Sequence, residues 1–126
     1  TPHAYFFDEL PLRESLRFIT ACFGMSPTEA TESLHHFLGN LRLDEKAAFL
    51  TPGQRTQLLV HLALSSRAKL ILLDEVVSRL DSMSLEVAAK RVQNYLARGS
   101  ALILVEHGQS YPWINREIHL SDGLVA

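Results

Sequence analysis

Asp74 and Glu75 are adjacent carboxylates that close a short apolar run, Leu70-Ile71-Leu72-Leu73. Such a run fits a buried parallel strand. Open α/β sheets bind their ligands at the carboxyl ends of their strands. In folds that handle phosphate, an acid in the first position holds Mg2+ and one in the second polarises an attacking water. A core strand running out into a polar loop has the same appearance, so the pair alone leaves both readings open. A second apolar run, Ala101-Leu102-Ile103-Leu104-Val105, ends at Glu106-His107. A histidine at a strand end is often only a surface residue. Among the other histidines, His35 and His36 are adjacent and cannot share a helix face, and His61 lies in an apolar helix and reads as a core residue. No metal-ligand spacing and no Ser-His-Asp or Cys-His arrangement is visible among them.

The elements that must position these residues can be traced from the periodicity. From Leu12 to about Leu43 the sequence reads as helices with no strand. Leu12, Leu16, Ile19 and Phe23 recur on one helical face, and Gly24 suits the C-terminal cap. Ser26-Pro27-Thr28-Glu29 is a capping box with proline at the first helical position, opening a helix striped by Ala30, Leu34, Phe37, Leu38 and Leu41. Thr51-Pro52-Gly53-Gln54 is a second capping box, leading into an apolar segment from Arg55 to Leu64. From Ala68 onward, strands and helices alternate over 69–74, 82–98, 101–106 and 117–120, which argues for βαβ units in a parallel sheet. Asp81 can cap the helix from Ser82 to Arg98, with Leu85, Ala89, Val92 and Leu96 buried and Gly99 ending it. Val76-Val77, two β-branched residues, either extend the strand or pack inside.

Composition narrows the function classes. At 126 residues and 47% hydrophobic, the chain can bury one core and has the size of one domain or part of one. A net charge of −2, with the charges interspersed, gives no footprint for nucleic acid and no polybasic block for a membrane surface. The single Cys22 rules out an internal disulfide. No apolar stretch approaches the ~20 residues of a transmembrane helix, and Thr1-Pro2-His3 shows no signal-peptide pattern.

In order and spacing, these elements resemble the carboxyl-terminal half of an ATP-binding-cassette (ABC) ATPase. Leu50-Thr51-Pro52-Gly53-Gln54 is similar to the family signature Leu-Ser-Gly-Gly-Gln, and Leu70 to Glu75 to its Walker B strand. Ser78-Arg79-Leu80-Asp81 is similar to the D-loop, His107 falls at the H-loop position, and Ile118 to Val125 resembles the closing hairpin. The fold implied is a partial P-loop NTPase-like α/β layer with a parallel sheet and an amino-terminal all-helical subdomain, divided into residues 1–50 and 51–126. The resemblance implies an ATPase of a transporter's nucleotide-binding domain, with ATP and Mg2+ as cofactors. Asp74 would hold Mg2+, Glu75 would be the general base, and His107 would orient the γ-phosphate and water. Thr51, Gly53 and Gln54 would meet the nucleotide held by a second cassette, and Asp81 would lie at that dimer interface. The implied partners are that second nucleotide-binding domain, a transmembrane domain, and no nucleic acid, at the cytoplasmic face of the membrane.

No Gly-x-x-x-x-Gly-Lys-Ser/Thr occurs in the sequence. The expectation is therefore a longer cassette whose Walker A half is not in this chain, and no activity for the chain alone. Four residues depart from the family pattern. Pro52 stands for glycine and removes an N–H; Val76-Val77 stands for Pro-Thr; Arg79 stands for a small residue. Pro52 and Val76-Val77 support an alternative, a degenerate cassette acting as a nucleotide-dependent clamp, whereas Asp74, Glu75 and His107 support hydrolysis. A non-transport ABC protein acting on nucleic acid fits the balanced charge least.

Overall fold

Reciprocal caps set where two of the helices, α2 (Pro27–Leu34) and α3 (Pro52–Ser65), begin. The structure, a computed structural model, describes residues 6–34 and 42–125. Helix α1 (Leu12–Cys22) follows Pro11 and buries Leu12, Leu16 and Ile19. It ends as Phe23 N–H donates to the Ile19 carbonyl, and Gly24 turns the chain away at φ +65°, a conformation that needs no Cβ. In α2 (Pro27–Leu34), Glu29 N–H donates to Ser26 Oγ (3.2 Å) and Ser26 N–H to Glu29 Oε2 (2.8 Å). Ala30 and Leu34 are buried. Phe37, Leu38 and Leu41 of the expected stripe, and His35-His36, lie outside the described residues.

Helix α3 (Pro52–Ser65) joins two cores, which is why it is apolar on more than one face. Leu58 and Leu62 pack with Leu12, Leu16, Ile19 and Leu34 of the helical end. Val60, Ala63 and Leu64 pack with Ile71, Leu73, Val92 and Tyr95 of the α/β end. His61 is buried, as its position in the sequence suggests.

Strands β1 (Leu70–Asp74) and β2 (Ala101–Val105) run parallel, with Leu70 opposite Ala101 and Asp74 opposite Val105. Helix α4 (Ser82–Ala97) makes the crossover between them. Gly99, at φ +80°, ends that helix as expected. The βαβ unit is thus present, but three details differ from the sequence reading. First, β1 is not buried on both faces: Ile71 and Leu73 point into the core, while Leu72 stays 64% exposed. Among the described residues, α3 and α4 pack with Ile71 and Leu73 in one core, which Tyr111 also enters.

Second, the buried face of α4 is Ala88, Val92 and Tyr95, with Leu85, Ala89 and Leu96 only partly buried. The face is turned because the Tyr95 ring inserts beneath β1 and its hydroxyl donates to the Ala68 carbonyl at 2.7 Å. Third, the strand expected at 117–120 does not join the parallel sheet. Instead β3 (Leu120–Ser121) and β4 (Leu124–Val125) pair antiparallel in a short exposed hairpin. Asp122 and Gly123 both have positive φ, 50° and 78°, the demand of a two-residue hairpin turn. The hairpin resembled by Ile118 to Val125 is therefore present in its turn and its last four paired residues.

Candidate functional site

The two parallel strands deliver their polar residues to one edge. Asp74 ends β1 with its side chain exposed. The next residue, Glu75, still pairs with the neighbouring strand, donating its N–H to the Val105 carbonyl at 2.9 Å. It then leaves the strand at φ +50°, a left-handed conformation that is strained for a side-chain-bearing residue. That turn brings Glu75 Oε1 to 2.7 Å from His107 Nε2, although the two residues are 32 apart in the chain. With Glu75 ionised, a carboxylate only accepts, so Nε2 carries the proton of this bond.

Val76-Val77 does not prolong the strand. Val77 is buried and starts a single 3-10 turn, Val77–Arg79, so the second of the two sequence alternatives holds. The turn is capped from the other strand: Glu106 Oε1 accepts the N–H groups of Val77 (2.9 Å) and Ser78 (3.1 Å). Sequence reasoning gave Glu106 no role. Its partners are 28 and 29 residues away, and no local periodicity links them. Behind it, Tyr111 stacks on Trp113 with ring centroids 5.0 Å apart. Burial, and secondarily the charge of Glu106, push the Tyr111 phenol above its ordinary 10.0.

The remaining predicted residues form a second group. Thr51 Oγ1 accepts the Gln54 N–H at 3.2 Å, and Gln54 Oε1 accepts the Thr51 N–H at 2.9 Å, so the capping box is closed in both directions. Pro52 occupies the first helical position. A Cβ on Gly53 would meet nothing closer than Thr51 Oγ1 at 3.9 Å, so internal packing does not require glycine there. Asp81 caps α4, accepting the Ser84 N–H at 2.8 Å. That bond above all holds its carboxyl below the ordinary 3.8. Gln57 ties the two helices together: its Nε2 donates to Asp81 Oδ2 (3.1 Å) and to Ser84 Oγ (2.5 Å).

The structure thus brings Glu75 and His107 together, with Asp74 next to Glu75 in the chain, and links the helix that follows Thr51-Gln54 to Asp81. Among the described residues no hydrogen bond joins the two groups directly. Nor do the described residues contain a cluster of three His, Cys, Asp or Glu side chains able to cage a metal. Asp74 instead offers one hard carboxylate, which suits Mg2+, an ion that keeps several waters and uses one or two carboxylates plus phosphate oxygens.

No family model matches the chain. Curated relatives do. The cytochrome c biogenesis ATP-binding export protein CcmA of Legionella pneumophila is 31% identical over 102 residues, 78% of this chain and 48% of the relative. The lipoprotein-releasing system ATP-binding protein LolD of Zymomonas mobilis is 30% identical over 106 residues, 79% of this chain and 46% of the relative. The macrolide export ATP-binding/permease protein MacB of Azoarcus sp. (strain BH72) is 29% identical over 116 residues, 88% of this chain and 18% of the relative. The chain spans about half the length, or less, of the curated relatives it matches. Among solved structures, an ATP-binding subunit of an ABC transporter superposes with a TM-score of 0.64 at 23% identity, over 79% of this chain and 43% of that one. An ATP-binding cassette in a dimeric post-hydrolysis state, bound to ADP and Pi, gives 0.62 at 22% identity, over 81% and 48%. At these identities the superpositions speak for the fold.

Proposed function

The chain belongs to the ATP-binding-cassette ATPases, and we propose that it is the signature-bearing part of a transporter's nucleotide-binding domain, coupling ATP binding and hydrolysis to transport. The observation that carries this reading is the 2.7 Å contact between Glu75 and His107 beside Asp74 at the carboxyl edge of the sheet. Glu75 Oε2 takes the proton of the attacking water, and His107 orients the Glu75 carboxylate and the γ-phosphate. Asp74 holds Mg2+, which when bound draws charge from the β- and γ-phosphates. Thr51, Gly53 and Gln54 present the start of α3 to a nucleotide held mainly by a second cassette, and Asp81 lies beside that interface.

The phosphate-cradling loop comes from a further segment of the complete cassette. The uncovered outer face of β1 and β2 supports this, since parallel sheets are ordinarily covered on both faces. Residues 1–50 form the helical subdomain that meets a transmembrane partner, and residues 51–126 form part of the ATPase core. The complete cassette sits peripherally at the cytoplasmic face of the membrane. No helix among the described residues is long and apolar enough to cross it.

The test is Glu75→Gln in the complete protein. ATP binding should survive while hydrolysis falls by about 100-fold or more, the range of a lost general base. A second reading, a clamp that binds nucleotide without hydrolysis, draws support from the closed Thr51–Gln54 box, in which Pro52 supplies no N–H. Turnover equally absent with and without Glu75→Gln selects the clamp, and equal measurable turnover removes Glu75 as the base.

A further inference from the structure

Three consecutive residues leaving β2 hold three points of the turn that leaves β1. The Val105 carbonyl accepts the Glu75 N–H at 2.9 Å. The Glu106 carboxylate accepts the N–H groups of Val77 and Ser78 at 2.9 and 3.1 Å. The His107 imidazole contacts the Glu75 carboxylate at 2.7 Å. Between these anchors Glu75 sits at φ +50°, a conformation that persists only where its surroundings over-determine it. The Val105 bond fixes the N–H of Glu75 itself, and the Glu106 bonds fix Val77 and Ser78, two and three residues beyond it. An ionised acceptor makes such bonds about twice as strong as a neutral one.

We propose that Glu106 is a positioning residue for hydrolysis, whose clamp on the Val77 and Ser78 N–H groups holds the Glu75 turn and so aims the Glu75 carboxylate at His107 and at the water. Glu106 touches neither nucleotide nor water; it acts through the backbone. The same clamp accounts for Val76-Val77. With valine at position 76, the N-cap of the 3-10 turn, there is no side-chain acceptor to cap it, and the carboxylate from the neighbouring strand does so instead. Buried Val77 anchors that turn to the core at the same point.

The inference rests on the hydrolytic reading of Glu75. It is tested in the complete protein with Glu106→Ala, Glu106→Gln and Glu75→Gln side by side. Glu106→Ala removes the acceptor and should lower kcat by roughly ten- to a hundredfold, the cost of a displaced catalytic group, with KM for ATP unchanged. Glu106→Gln keeps an acceptor oxygen without the charge and should recover most of that rate. Amide hydrogen exchange over residues 75–80 should quicken in Glu106→Ala, while the body of α4 stays protected. Wild-type kcat in Glu106→Ala, or unchanged exchange at Val77 and Ser78, overturns the inference while Glu75→Gln remains slow. A Glu106→Gln variant as slow as Glu106→Ala also overturns it, because charge and not the clamp would then be responsible. If Glu75→Gln turns over at the wild-type rate, the hydrolytic reading falls, and this inference with it.

Discussion

A carboxylate takes its role from what it faces, and Asp74, Glu75, Asp81 and Glu106 illustrate four outcomes in one protein. Asp74 is left exposed, Glu75 meets an imidazole, Asp81 caps a helix, and Glu106 caps a turn from across the sheet. Asp81 yields a prediction in pH. Its folded pKa lies below the ordinary 3.8, chiefly through the Ser84 N–H. The stability it contributes is therefore complete above that value and lost as pH falls through the folded pKa. Asparagine caps helices about as well but does not titrate there, and it has one acceptor oxygen for the two donors, Ser84 N–H and Gln57 Nε2. The wild type should melt above Asp81→Asn at neutral pH, and the gap should narrow as pH falls below about 5 and go on closing through the lowered folded pKa. Melting curves across that range check it; a gap that stays constant would mean the cap does not depend on charge. Asp74, Glu75 and His107 could be read from the sequence because each follows an apolar strand. Glu106 could not, because a carboxylate that binds backbone N–H groups 28 residues away leaves no pattern.

Helix α3 shows what an element takes from local chemistry and what it takes from the fold. Its start is legible: Thr51 and Gln54 satisfy each other's N–H groups, and Pro52 between them has none to satisfy. Similar local reasoning located α2 through Ser26 and Glu29. The buried face of α4 was misjudged because Tyr95 is placed by the Ala68 carbonyl, a tertiary partner. The strand expected at 117–120 was misplaced because the Asp122-Gly123 turn, and not apolar content, decides where pairing begins. The start of α3 carries its own prediction, made in the complete protein with Glu75→Gln to stop turnover. Pro52→Gly restores an N–H where the proposed nucleotide of a second cassette would lie. A hydrogen bond to a charged group is worth about 1.5–3 kcal/mol, so ATP-dependent association should tighten roughly ten- to a hundredfold. Losing the preset φ costs the helix a few tenths to about 1 kcal/mol, so the melting temperature should drop slightly. Sedimentation with and without ATP measures the first effect. If only the melting temperature moves, Thr51 to Gln54 serves as a helix cap alone.

At the scale of the whole molecule, the two cores share α3 but the sheet is finished on one side only. Ile71 and Leu73 are covered, whereas Leu72 is 64% and Ile103 51% exposed on the opposite face. The sequence could not reveal this, because a continuous apolar strand looks the same whether its second cover is inside the chain or outside it. The alternation of burial along β1 separates the two cases. If that face packs against the rest of a complete cassette, one double substitution, Leu72→Lys with Ile103→Lys, should act oppositely in two contexts. In this chain alone both side chains already meet solvent. The melting temperature should then move by no more than about 2 °C, within the usual range for surface changes, and self-association should fall as the apolar face is broken. In the complete protein each lysine would replace apolar burial worth about 1.5–3 kcal/mol and bring a charge into the interior, so the melting temperature should fall by at least about 4 °C. Thermal scans and sedimentation of both forms decide it. Equal tolerance in the two forms would leave the face open to solvent in the complete protein and remove the physical argument for a covering half. A fall of the same size in both would place these residues in the chain's own core, against their exposure here.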